Sequence, residues 1–168
     1  MELCEPIELK TRLQTCKTGT TVFCRSKGVE AATIRLVLKS PWNHTAVVFW
    51  INGELFIVEA MIGDVIRPKR FDLWWADRMG DEFGISECAV FDYVITDFFG
   101  ARPTRYDIMS VMVYMLIYQL TGWWLGRVNE RASKRLFCFE FSALIRGLPL
   151  WWRIVPEEFP DDEVLNKD

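Results

Sequence analysis

The first third of the chain is written in short apolar runs separated by polar turns. Thr21-Val22-Phe23-Cys24 is β-branched and aromatic, follows the turn Lys17-Thr18-Gly19-Thr20, and predicts a strand. Glu30 to Lys39 predicts a short helix with Ile34, Val37 and Leu38 on one side, broken by Ser40-Pro41-Trp42-Asn43. His44 to Ile51 is again β-branched and aromatic and predicts a buried strand. Asn52-Gly53 is the strongest two-residue hairpin signal, because both central positions of a type I′ turn need a positive φ. Glu54 to Ala60 is then the returning strand, and Val65-Ile66-Arg67 predicts a third, stopped at Pro68.

The hairpin fixes a register. With Asn52-Gly53 as the loop, Ile51 faces Glu54, Ala46 faces Glu59 and His44 faces Met61. Residues 44 and 46 share a face, as do 59 and 61. His44 and Glu59 are therefore diagonal neighbours, about 7 Å apart at the backbone and within side-chain reach.

Later segments read as helical. Asp92 to Phe99 predicts a helix closed by Gly100. Ile108 to Leu125 is an uncharged run of about 18 residues, at the lower edge of a membrane-spanning length. It reads first as a buried or amphipathic helix, and second as a segment in contact with a membrane or lipid. From Lys134 the apolar spacing is helical, with Cys138, Phe141, Ser142 and Ile145 at i, i+3, i+4 and i+7. Gly147 and Pro149 close that helix, and Cys138 falls near its N-terminal end.

At 168 residues with 51% hydrophobic side chains, the chain is the size of one domain with a sizeable core, which excludes a disordered protein. The net charge of −3 gives no support to nucleic-acid binding. Six of the 23 carboxylates fall from Glu157 onward, against one Lys, a tail expected to be solvated. The five cysteines contain no C-x-x-C pair and call for neither a disulfide framework nor a zinc site. No cofactor is implied. The N-terminus lacks a basic segment followed by an apolar one, so a cytoplasmic protein with reduced thiols is expected, with peripheral membrane association as the variant.

One histidine, one helix-start cysteine and one strand-end glutamate remain as candidate chemistry. A thiol near a helix N-terminus is favoured as thiolate by the dipole and by the backbone N–H groups there. Cys138 then needs a base to take its proton, His44, and the base needs an orienting partner, Glu59. Each also has an ordinary structural role: a small core thiol, a strand-start histidine, a solvated carboxylate.

The order of motifs adds a resemblance. Ser40-Pro41-Trp42-Asn43-His44-Thr45-Ala46-Val47-Val48 and Asn52 to Ala60 resemble the S-H-V-G-I strand, hairpin and V-x-E-A strand of the circularly permuted, papain-like NlpC-type hydrolases, YiiX-like branch. Arg102-Pro103-Thr104-Arg105-Tyr106-Asp107 looks like that family's G-K-P-Y-D-Y segment, and Leu136 to Phe141 like its F-C-S-E-L helix start. Leu150 to Pro156 is similar to its closing segment. The matches run in order over roughly residues 17–160.

The resemblance implies an α+β, permuted papain-like fold in one domain over 1–168: a small antiparallel sheet or barrel packed against helices, the histidine strand preceding the cysteine helix. It implies Cys138 as nucleophile, His44 as general base and Glu59 as orienting partner, with Tyr106 lining the site. The implied activity is a thiol hydrolase of amide bonds, peptide or cell-wall-type peptide, through an acyl-enzyme; a peptide-like or acyl substrate is the expected partner. The alternatives are a catalytically silent binding domain and a membrane-associated lipid acyl hydrolase or acyltransferase. Three positions depart from the family pattern: Thr20 for an Asp, Asn43 for a Ser, and Phe139 for a Ser. Phe139 is expected to narrow the pocket or to make it more apolar.

Overall fold

The computed structural model describes residues 6–61, 66–87, 105–106, 110–125, 135–148 and 153. Its centre is a five-stranded antiparallel sheet in the order β4-β3-β2-β1-β5: β1 Thr21–Arg25, β2 His44–Ile51, β3 Glu54–Glu59, β4 Arg67–Arg70 and β5 Glu82–Ser86. The helices are α1 Pro6–Leu13, α2 Val29–Leu38, α3 Phe71–Ala76, α4 Met115–Thr121 and α5 Cys138–Ile145. A π-helical turn over Ser110–Tyr114 leads into α4, and two-residue strands β6 Arg105–Tyr106 and β7 Arg135–Leu136 pair in parallel.

The β2–β3 turn forms as the dipeptide requires, with φ of 52° at Asn52 and 79° at Gly53. Its register sets Ile51 against Glu54 and Ala46 against Glu59. Both faces of the sheet are covered at its centre, which is why β2 and the middles of β1 and β3 are apolar instead of alternating with polar residues. Val22, Cys24, Ala46, Val48 and Ile57 pack with Leu13, Trp74 and Phe83 on one face. Phe23, Val47, Phe49 and Val58 pack with Met115, Phe137, Phe139 and Phe141 on the other. Two polar contacts fix α5 in place. Ser142 Oγ lies 2.9 Å from Thr45 Oγ1, both fully buried, and the Arg146 guanidinium donates to Ser86 Oγ at 2.8 Å.

Several expectations are corrected. The helix over 30–39 runs from Val29 to Leu38, with Lys39 as its left-handed cap at φ 52°. The strand after the hairpin ends at Glu59 rather than Ala60. Pro68 does not stop the next strand but lies inside β4; an edge strand tolerates proline with its nitrogen turned to the open side. The long uncharged run is not one helix: α4 ends at Thr121, where Gly122 takes φ 73°. Among the described residues no helix is long and apolar enough to cross a membrane.

The last helix starts later than its spacing suggests. Residues 135–136 pair with β6, and Phe137 is extended at φ −95°, ψ 171°. Glu140 Oε2 accepts the Phe137 N–H at 3.1 Å, the half of a capping box that sets the first turn at Cys138. Here strand pairing overrides helical periodicity and moves the cysteine to the first helical position. The segment 92–99, residue 65, Cys4, Cys88 and the acidic tail lie outside the described residues.

Candidate active site

His44 opens β2 and Glu59 closes β3, so both stand at one end of the hairpin on the face that packs α3. Their contact is direct, with His44 Nε2 2.8 Å from Glu59 Oε2. Both are largely withdrawn from water, with side-chain exposures of 8% and 12%. The adjacent residue, Thr45, points the other way and holds α5 through Ser142. The first residue of that helix, Cys138, is hydrogen-bonded to the His44 ring. Glu59 engages the ring at Nε2. One imidazole thus spans a thiol and a carboxylate, and the three candidate residues from three elements meet.

Electrostatics follow from this arrangement. Burial works against a charged imidazole, but the charge and hydrogen bond of Cys138, with those of Glu59, raise the His44 pKa from 6.5 to about 9. For Glu59 burial again opposes the charge. The hydrogen bond and charge of His44, the Arg78 guanidinium and the Trp74 hydrogen bond together lower it from 4.5 to about 2. Cys138 itself is 1% exposed and is the first residue of α5, at the positive end of the helix dipole.

Two neighbours of Glu59 were not found from the sequence. Trp74 Nε1 donates to Glu59 Oε2 at 3.0 Å, and Arg78 Nη2 donates to the same oxygen at 2.9 Å. Both lie on α3 or the turn after it, elements that carry no motif. The sequence signal was limited to a strand-end carboxylate; its burial, seen only in the structure, is what calls for donors.

The other sequence candidates resolve differently. Tyr106 lies in β6 opposite Leu136, two residues before Cys138, so its backbone borders the start of α5. Phe139 does not narrow a pocket: it is fully buried in the core, its ring centroid 6.3 Å from that of Phe23 and 6.4 Å from that of Phe137. Asn43 latches the loop before His44, accepting the Ser26 N–H at 2.7 Å and an Arg35 N–H at 3.1 Å on Oδ1. Cys24 sits opposite His44 in the ladder, fully buried, and burial raises its pKa. Cys16 is pushed up to about 11 by burial and by Glu87. Neither of these thiols is poised to be a thiolate.

A cavity of about 820 Å³ opens against Glu59. Phe56, Met61, Leu73 and Trp74 supply its apolar wall, and Arg67, Lys69 and Arg70 line its β4 side. His44 and Cys138 are not among its lining residues, so it reaches the cluster through Glu59 only.

No family model matches the chain, and no curated protein matches it.

Proposed function

We propose that this protein is a thiol hydrolase with a permuted papain-like, NlpC-type fold, cleaving an amide bond of a peptide or cell-wall-type peptide through Cys138, His44 and Glu59. The observation that carries the reading is the single histidine hydrogen-bonded at once to a helix-start thiol and to a buried carboxylate. The α+β architecture, with the histidine strand before the cysteine helix, fits the resemblance.

In this mechanism His44 takes the thiol proton, giving a thiolate–imidazolium pair that Glu59 supports. The sulfur attacks the carbonyl carbon, and the carbonyl π electrons move to oxygen, where the Cys138 backbone N–H is the natural donor to the oxyanion. Collapse breaks the C–N bond, and the imidazolium proton goes to the departing amine. A thioester remains on Cys138. His44 then removes a proton from water, the resulting hydroxide attacks the thioester, and the acid leaves with the thiolate restored.

The test is the pH dependence of Cys138 alkylation by iodoacetamide, located by mass spectrometry, in wild type and His44→Ala. Rapid reaction below pH 7 that slows by about a hundredfold without His44 supports the pair. Reaction only near pH 8.5, the range of an ordinary thiol, and independent of His44 overturns it.

A second reading is a catalytically silent binding module, favoured by the 1% exposure of Cys138. Under it Cys138 stays unmodified in the native protein at every pH and is alkylated only on unfolding.

A further inference from the structure

Glu59 is an ionised carboxylate with little access to water, and such a group costs several kcal/mol unless its oxygens are satisfied. Its Oε2 receives three donors: His44 Nε2 at 2.8 Å, Arg78 Nη2 at 2.9 Å and Trp74 Nε1 at 3.0 Å. Only one of these is the presumed base. The other two come from the α3 segment and hold the oxygen in place whatever His44 does.

Arg78 is held in turn. Its side chain is 11% exposed, its guanidinium carbon lies 5.7 Å from the Trp74 ring centroid, and Nη1 reaches Asp81 Oδ2 at 3.4 Å. Asp81 accepts the Ser26 hydroxyl at 2.7 Å on that same oxygen, and the Ser26 N–H donates to Asn43 Oδ1 at 2.7 Å. Asn43 is bonded through the chain to His44. The contacts therefore close a ring, from Asn43 through Ser26, Asp81, Arg78 and Glu59 to His44, that joins the ends of β1 and β3, the start of β2 and the turn before β5.

We infer that Arg78 is a positioning residue of the thiol site, the group that fixes the Glu59 carboxylate in one orientation and keeps it ionised behind His44. The inference rests on the hydrolase reading for its functional meaning. A carboxylate alone at this place is free to rotate or to take the imidazolium proton; with a guanidinium and an indole on the same oxygen it does neither. Asn43, one of the departures from the family pattern, belongs to the same ring. His44 from β2 and Arg78 from the α3–β5 turn bear on Glu59 directly, and Cys24 from β1 is coupled to it; Asp81 acts on Arg78 and Cys138 on His44, and Arg67 is paired opposite Glu59 in β4.

Two readouts on Arg78→Met, Arg78→Lys and Asp81→Asn test this. The first is the Glu59 carboxyl titration, followed by carbon NMR with labelled glutamate. The second is the acid limb of Cys138 alkylation. In Arg78→Met both move to higher pH by about one unit, roughly a tenfold loss of alkylation rate at a fixed pH on that limb. Arg78→Lys reverses most of the shift, and Asp81→Asn, which removes a like charge and leaves the Arg78 cation in place, raises neither midpoint. A role in folding alone lowers the native fraction without moving either midpoint. An unmoved Glu59 titration in folded Arg78→Met overturns the inference, as does a shift in Arg78→Lys equal to that in Arg78→Met. Should Arg78→Met not fold, Arg78→Gln, which also removes the cation, takes its place under the same criteria. Failure of the hydrolase reading is a separate result: Cys138 alkylation indifferent to His44, whatever Glu59 does.

Discussion

Glu59 meets His44 diagonally, at 2.8 Å, from a backbone position paired with Ala46. A two-residue turn sets this offset, and the offset lets the carboxylate reach Nε2. The bond is charge-assisted, so neutralising one side has a measurable effect on the other. In Glu59→Gln the His44 pKa is expected to fall from about 9 by about one unit or more. As the chain contains a single histidine, one imidazole resonance in a pH titration reports it directly. An unchanged midpoint excludes the carboxylate as the source of the elevation.

Folding stability is expected to fall at both ends of the pH range. Glu59 has a folded pKa of about 2 against an ordinary value of 4.5, so its contribution is present above 4.5 and is lost as pH falls toward 2. His44 is raised from 6.5 to about 9, so its contribution is complete below 6.5 and is lost as pH rises through 9. Urea midpoints across this range check both, and in Glu59→Gln the acid-side fall becomes shallower.

The hydroxyl pair Thr45–Ser142 is expected to behave non-additively. Thr45→Val or Ser142→Ala alone leaves a buried hydroxyl without its partner and costs about 1–3 kcal/mol. Removing both costs less than the sum. Urea unfolding of the four proteins of the cycle measures the coupling, and additive losses show that the bond does not anchor α5.

Gly53 takes φ 79° in the hairpin turn. Gly53→Ala is expected to cost about 1–2 kcal/mol through backbone conformation, since a Cβ there meets nothing within 4 Å. Loss of His44–Glu59 coupling in the same variant, read from the His44 titration, reports whether the turn also sets the register on which the site depends.

The hairpin and its diagonal pair were legible because a two-residue turn determines register without help from the rest of the molecule. The helix start was legible only approximately. Its true position at Cys138 depends on the β6–β7 pairing and on Glu140 reaching back to Phe137, and the pairing joins residues about thirty apart in sequence. β5 was missed because Glu82-Phe83-Gly84-Ile85-Ser86 is short, carries a glycine and gains its stability from pairing with β1. Arg78 was missed for the same kind of reason: nothing local marks it, and it is recruited through space by an acid formed at the end of another strand. Phe139 shows the opposite error. Its place beside Cys138 in sequence suggested a pocket wall, but the helix turns that side chain into the core.

The β4 border of the sheet bears on what can pair with its open edge. Its four residues, Arg67-Pro68-Lys69-Arg70, include three cations, and the proline nitrogen faces outward with no hydrogen to offer. A sixth strand adding here finds a broken ladder and a row of positive charge. That border therefore resists strand addition of any kind, and it keeps one copy of the sheet from growing onto another.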